Sequence, residues 1–143
     1  MILPDVNVLV DAFRREADLH DEYAAWLASA LVGDEDLALV DAVLTGFVRI
    51  VTNPRIFADP APTPTALAFV RALRTARPAR AVTGSGATWD RLDEVAAADR
   101  FVRGNLVPDA WLAALAATLG ARVATSDAGF ARFDGVLWFD PVG

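Results

Sequence analysis

Three aspartates hold the positions from which this chain could do chemistry: Asp5, Asp109 and Asp127. Asp5 follows the apolar run Ile2-Leu3 and precedes Val6-Asn7-Val8-Leu9-Val10. An unpaired carboxylate between two apolar segments is expensive to bury, so something must compensate it. Asp127 follows the apolar run from Arg122 to Thr125, read as a strand. Asp109 lies in the first turn of a long alanine-rich helix that leads by a short loop into that strand. Sites in an open parallel sheet form at the carboxyl ends of strands, which places Asp5 and Asp127 on one edge. All three can then converge. Crowded carboxylates repel, and a hard cation is the usual remedy. Magnesium on a few carboxylates keeps several waters, and one of them can be activated against a phosphodiester. Taken singly, Asp109 also reads as a helix-dipole partner and Asp127, in Thr-Ser-Asp-Ala-Gly, as a turn residue.

Composition removes most other chemistries. The 143 residues include no cysteine and one histidine, His20, which excludes disulfides, thiolate nucleophiles and zinc sites built on several imidazoles. All 13 basic residues are arginine, so the lysine-bearing phosphate loop and Schiff-base chemistry are absent. A phosphatase with an aspartate nucleophile is disfavoured too, because Asn7 stands where its second aspartate belongs and no lysine is available. The net charge of −6 argues against DNA or membrane binding by the chain itself, although local arginines can contact a nucleic acid. No apolar run is long enough to span a bilayer and no signal peptide is recognised, so a cytoplasmic protein is expected. The length fits one domain over 1–143, able to bury about two-thirds of its surface.

These acids need a frame. The pattern predicts short strands at Ile2-Leu3, 37–40, Ala81-Val82, 122–125 and 136–139. Helices are predicted over 19–31, 42–52, from Thr63-Pro64 to about Ala76, near 87–99, and from Asn105 to Gly120. Asn7, Asp41, Thr63 and Asn105 are candidate caps, and Val6 to Phe13 suits either a strand or a helix. The prolines of 54–64 mark a loop. Alternating short strands and helices predict an α/β protein, a three-layer sandwich on a mostly parallel sheet.

At this point the motifs carry a resemblance. Leu3-Pro4-Asp5-Val6-Asn7-Val8-Leu9-Val10 resembles the opening of PIN-domain ribonucleases, particularly the VapC toxins of bacterial toxin–antitoxin pairs. Gly104-Asn105-Leu106-Val107-Pro108-Asp109-Ala110 is similar to that family's third-acid helix, and Thr125-Ser126-Asp127-Ala128-Gly129-Phe130 to its closing motif. Phe47-Val48-Arg49-Ile50-Val51-Thr52-Asn53-Pro54-Arg55 resembles a segment of one VapC subgroup. The matches run in the family's order and reach from residue 3 to 139.

The resemblance implies a PIN-like α/β/α sandwich and cleavage of single-stranded or loop RNA with Mg2+ (or Mn2+). It further implies a homodimer and a cognate antitoxin whose arginine reaches Asp5 and Asp109. Asp5, Asp109 and Asp127 would be catalytic acids and metal ligands. There is one departure: Gly46 stands where most of the family has a glutamate, which leaves open whether one or two metals bind. The alternative is a PIN-like protein that binds RNA or antitoxin without cutting. Arg71, Arg74, Arg77 and Arg80 recur every three residues, either as a solvated face or as an RNA track. Four tryptophans (Trp26, Trp89, Trp111 and Trp138) in a small domain predict some exposed apolar surface for partners. Asn7 and Asn105 are caps or orienting amides, and His20 has no assigned role.

Overall fold

A computed structural model describes residues 1–143. Its core is one five-stranded sheet of three-residue strands: β1 (Ile2–Pro4), β2 (Leu37–Leu39), β3 (Ala79–Ala81), β4 (Arg122–Ala124) and β5 (Leu137–Phe139). Every pairing is parallel, in the order β3-β2-β1-β4-β5. The central strand β1 is buried along its whole length, as a parallel strand covered on both faces must be.

Six helices cover the faces: α1 (Val6–Phe13), α2 (His20–Val32), α3 (Asp41–Val51), α4 (Thr63–Thr75), α5 (Gly86–Ala98) and α6 (Val107–Leu119). Alternation along the strands decides which face each side chain joins. Leu3, Ala38 and Val123 point into a core shared with α5 and α6, built from Val95, Leu112, Leu115, Phe130 and Phe133. Leu39 points the other way, to Val8, Leu9, Leu27, Leu44 and Phe47 of α1, α2 and α3. The three-layer α/β/α sandwich expected from the sequence is the observed fold, with a sheet that is wholly parallel. No helix is long and apolar enough to cross a membrane.

Several caps differ by a residue or two from the sequence reading. The ambiguous segment 6–13 is helix α1, and Asp5, not Asn7, caps it by accepting a hydrogen bond from the Val6 amide. Val40 and Pro62 take the cap positions of α3 and α4, so Asp41 and Thr63 are their first helical residues. Asn105 sits in a 3-10 turn, Gly104–Leu106, and Leu106 caps α6. Neither Val40 nor Leu106 makes a side-chain cap; burial of the apolar faces sets these starts more firmly than a polar cap does. The third strand begins two residues before the expected Ala81-Val82. Helix α6 stops at Gly120, whose φ of 63° is a left-handed conformation that glycine adopts without strain.

Candidate active site

The strand order fixes where a site belongs. From β1 the chain builds outward through β2 and β3, then returns to β4 on the other side of β1. The crevice beyond the carboxyl ends of β1 and β4 is therefore the topological switch point. Asp5 follows β1, and Thr125, Ser126 and Asp127 follow β4.

Asp5 is only 6% exposed. Its Oδ1 accepts from the Val6 amide at 2.7 Å, and its Oδ2 accepts from Thr125 Oγ1 at 2.9 Å and Asn7 Nδ2 at 3.1 Å. Asn7 also donates to Thr125 Oγ1 and accepts from the Ser126 amide, while the Asp127 amide donates to Thr125 Oγ1. This network ties the ends of β1 and β4 together and locks the carboxylate's orientation. Asn7 is thus an orienting amide, whereas Asn105 forms no comparable contact. No arginine pairs with Asp5, and burial pushes its carboxyl above the ordinary range despite the three donors.

Asp109 faces Asp5 across a cavity of about 400 Å³. Its carboxyl is pushed up to about 6, first by burial, then by the charges of Asp5 and Asp127. Asp127 is exposed, and its Oδ1 accepts from the Gly129 amide at 2.7 Å, which makes it both a turn residue and a neighbour of the other two acids. Gly129 is needed for this, since a Cβ there would lie 2.8 Å from Asp127 Oδ1. The three predicted acids share one sheet edge and one electrostatic field. They do not form a ready-made cage, however, for no three acidic or imidazole side chains stand close enough to enclose a metal.

The donor set still suits a hard cation. A carboxylate offers about four acceptor positions, and Asp5 uses three, so one remains on a buried anion that no base neutralises. Asp109 adds a second carboxylate that accepts no hydrogen bond. Magnesium is commonly held by one or two carboxylates with waters completing its shell, which needs no three-acid cage.

Apart from Arg49 of α3, the rest of the cleft is mostly apolar: Val43, Ile50, Leu92 and Trp111 line it, with Trp89 59% exposed at its side. Gly84 permits this wall, because a Cβ there would lie 2.8 Å from Trp111 Cζ2. Gly46 also lines the cleft, and a Cβ there would meet nothing within 4 Å. A roomier cavity of about 700 Å³ lies by the end of α1, beside Arg14, His20 and Phe69, and contains none of the three acids. His20 Nδ1 is 2.9 Å from the Asp11 carbonyl oxygen there.

The arginine row divides. Arg77 bonds the Val32 and Gly33 carbonyls and Asp34, and Arg80 pairs with Asp36. Both thus sit at the amino end of β2, across the sheet from the acids, and the row is not a continuous track into the site. Thr125, which holds Asp5 and Asn7, has no role in the sequence reading. Thr125 had a usable signal: a hydroxyl directly after an apolar strand, two residues before an acid.

The chain matches the PIN domain over residues 2–136. It is 38% identical over 142 residues to VapC ribonuclease Mb2897 of Mycobacterium bovis, covering 99% of this chain and 96% of that protein. It is 36% identical over 141 residues to ribonuclease VapC31 of Mycobacterium tuberculosis, covering 99% of each. Among solved structures it resembles VapBC2 from Rickettsia felis bound to a promoter DNA fragment, with a TM-score of 0.71 at 16% identity, covering 97% of this chain and 98% of that one. It also resembles M. tuberculosis VapC20, a Sarcin-Ricin loop cleaving toxin, with a TM-score of 0.68 at 16% identity over 96% and 99%.

Proposed function

The chain belongs to the PIN-domain family, its full-length relatives being VapC ribonucleases, and from that premise we propose that it is a metal-dependent endoribonuclease toxin held in check by a cognate antitoxin. The observation that carries this reading is Asp5: a buried, unneutralised carboxylate fixed by three donors at the switch point, with Asp109 across a cleft.

Asp5 and Asp109 would hold Mg2+ or Mn2+, with Asp127 adding charge or positioning water. When bound, the ion supplies a Lewis acid and lowers the pKa of a coordinated water. The chain's own residues do the rest. Asn7 and Thr125 keep Asp5 in one orientation. Trp111 and Leu112 line the cleft beside the acids with apolar surface. The open, apolar mouth suits an unpaired strand or loop, whose splayed bases can stack on an aromatic face such as Trp89. The substrate is accordingly single-stranded or loop RNA.

The same cleft suits the antitoxin. An apolar segment would lie along it, and an arginine would pair bidentately with the acids, displacing metal and covering the RNA site together. Exposed Trp89, Phe101 and Leu137 supply further surface for that partner and for a homodimer. The toxin would act in the cytoplasm, where RNA is found.

A second reading, binding without cleavage, draws on Gly46 and on the absence of a three-acid cage. Purified protein with single-stranded RNA separates the two. Cleavage should require magnesium or manganese, stop in EDTA, and fall about a hundredfold or more in Asp5→Asn, since loss of even an outer-shell partner of a metal costs about 10- to 100-fold. Cleavage that persists in EDTA, or RNA binding with no cleavage in any divalent ion, contradicts the nuclease reading.

A further inference from the structure

We propose that Arg49 is a substrate-binding residue of the acidic cleft, holding a phosphate of the RNA chain beside Asp5 and Asp109; this rests on the ribonuclease reading. Arg49 lies on α3 and is the one basic residue lining the cavity that Asp5 and Asp109 share. It is exposed and takes part in none of the protein's ion pairs. That sets it apart from Arg77, Arg80 and Arg122, each already paired with a carboxylate.

Its own helix gives it no partner. Residues three and four away on the helix surface are Thr45, Gly46, Thr52 and Asn53, and none is acidic. Gly46 matters twice here. A glutamate at 46 would add a fourth carboxylate to the cleft and would sit three residues before Arg49, where it could pair with the guanidinium. Glycine removes both effects and leaves open space.

Charge balance then gives Arg49 its purpose. Asp5, Asp109 and Asp127 leave the site negative, at about −1 even with one divalent cation, which repels a phosphodiester. One guanidinium offsets part of that charge with or without the cation and can donate two parallel hydrogen bonds to phosphate oxygens. Gly46 and Arg49 thus form a single arrangement: one acid fewer and one free base, in place of a further acid and a second metal. A phosphate is a better partner for Arg49 than a basic inhibitory segment, whose arginine it would repel.

The test is the binding of a fluorescein-labelled oligouridylate in EDTA, read by fluorescence polarisation across a salt series. The readout therefore needs neither metal nor turnover. Arg49→Ala should bind about tenfold more weakly at low salt. The slope of log affinity against log salt should become shallower by about 0.7, the value for one phosphate contact on a single strand. Arg49→Lys should restore the slope and recover only part of the affinity, because a point charge replaces a fork. Thermal melts check that both variants fold, as expected for an exposed side chain. Identical affinity and slope in wild type and Arg49→Ala would overturn the proposal. Wild-type cleavage with magnesium, measured alongside, keeps the failures apart. If wild type cuts and Arg49→Ala binds normally, only the role of Arg49 fails. If wild type neither binds nor cuts, the ribonuclease reading fails with it.

Discussion

The two edges of the sheet are both acidic, and they handle their acids in opposite ways. At the amino edge, Asp34, Glu35 and Asp36 precede β2 and each finds a cation. Glu35 accepts from the amino terminus at 3.1 Å and from Arg122 at 2.9 Å, Asp34 pairs with Arg77, and Asp36 with Arg80. Arg122 and the amino terminus accordingly hold Glu35 below its ordinary range. At the carboxyl edge, Asp5 and Asp109 have no cationic partner, and both carboxyls are pushed up. Acid content is therefore a poor guide to a site. Carboxylates whose charge the protein leaves unbalanced, at a place where the topology opens a crevice, are a better one.

The comparison sharpens under substitution. The largest effect on stability is expected at the carboxyl edge, in Thr125→Val. Thr125 is fully buried, donates to Asp5 Oδ2 and accepts from Asn7 and the Asp127 amide. An isosteric valine strands those partners at a cost of about 2 kcal/mol, read by denaturant unfolding. Metal affinity should fall with it, since Asp5 loses its orientation.

A smaller, pH-dependent effect belongs to Asp109, whose carboxyl rises from 3.8 to about 6 in the folded chain. An acid with a raised pKa binds its proton more tightly folded than unfolded. Its stabilising contribution is complete below about pH 4 and is lost as the pH rises to about 6. In EDTA, wild type should lose thermal stability relative to Asp109→Asn across that window. Equal pH profiles for the two proteins would mean that Asp109 carries no electrostatic load. Metal affinity should run the other way, weakening as protons compete below about pH 6.

The smallest effect should come from Glu35→Gln at the amino edge. Exposed ion pairs contribute about 0 to 1 kcal/mol and are screened by salt, so unfolding should shift little, and less still at high ionic strength. RNA cleavage should stay unchanged, because the substitution lies across the sheet from the cleft.

The sequence disclosed one part of this contrast and hid the other. Short apolar runs ending in Asp5 and before Asp127 displayed the strands and the edge they share, because a buried parallel strand must be apolar throughout. The first-turn position of Asp109 was equally legible. The amino-edge pairs were not, since Arg77 reaches Asp34 across 43 residues of chain and Arg122 reaches Glu35 across 87. Nor was the cap of α1: Asn7 has the right residue type, yet Asp5 sits one step before the helix and Asn7 is drawn off to Thr125. The close approach of Gly84 to Trp111 depends on two elements meeting in space, which no local pattern encodes.

The central claim is that the carboxyl edge, and Asp5 above all, is an uncompensated site for a divalent cation. Thermal melting of wild type, Asp5→Asn and Glu35→Gln, with and without magnesium or manganese at neutral pH, tests it most directly. A ligand at a hundredfold excess over its Kd adds about 2.7 kcal/mol. Wild type and Glu35→Gln should both rise in Tm when the cation is added. Asp5→Asn, which trades relief of a buried charge against the loss of one acceptor for the Val6, Thr125 and Asn7 donors, should gain little in Tm from the cation. Equal gains in all three proteins would contradict the account.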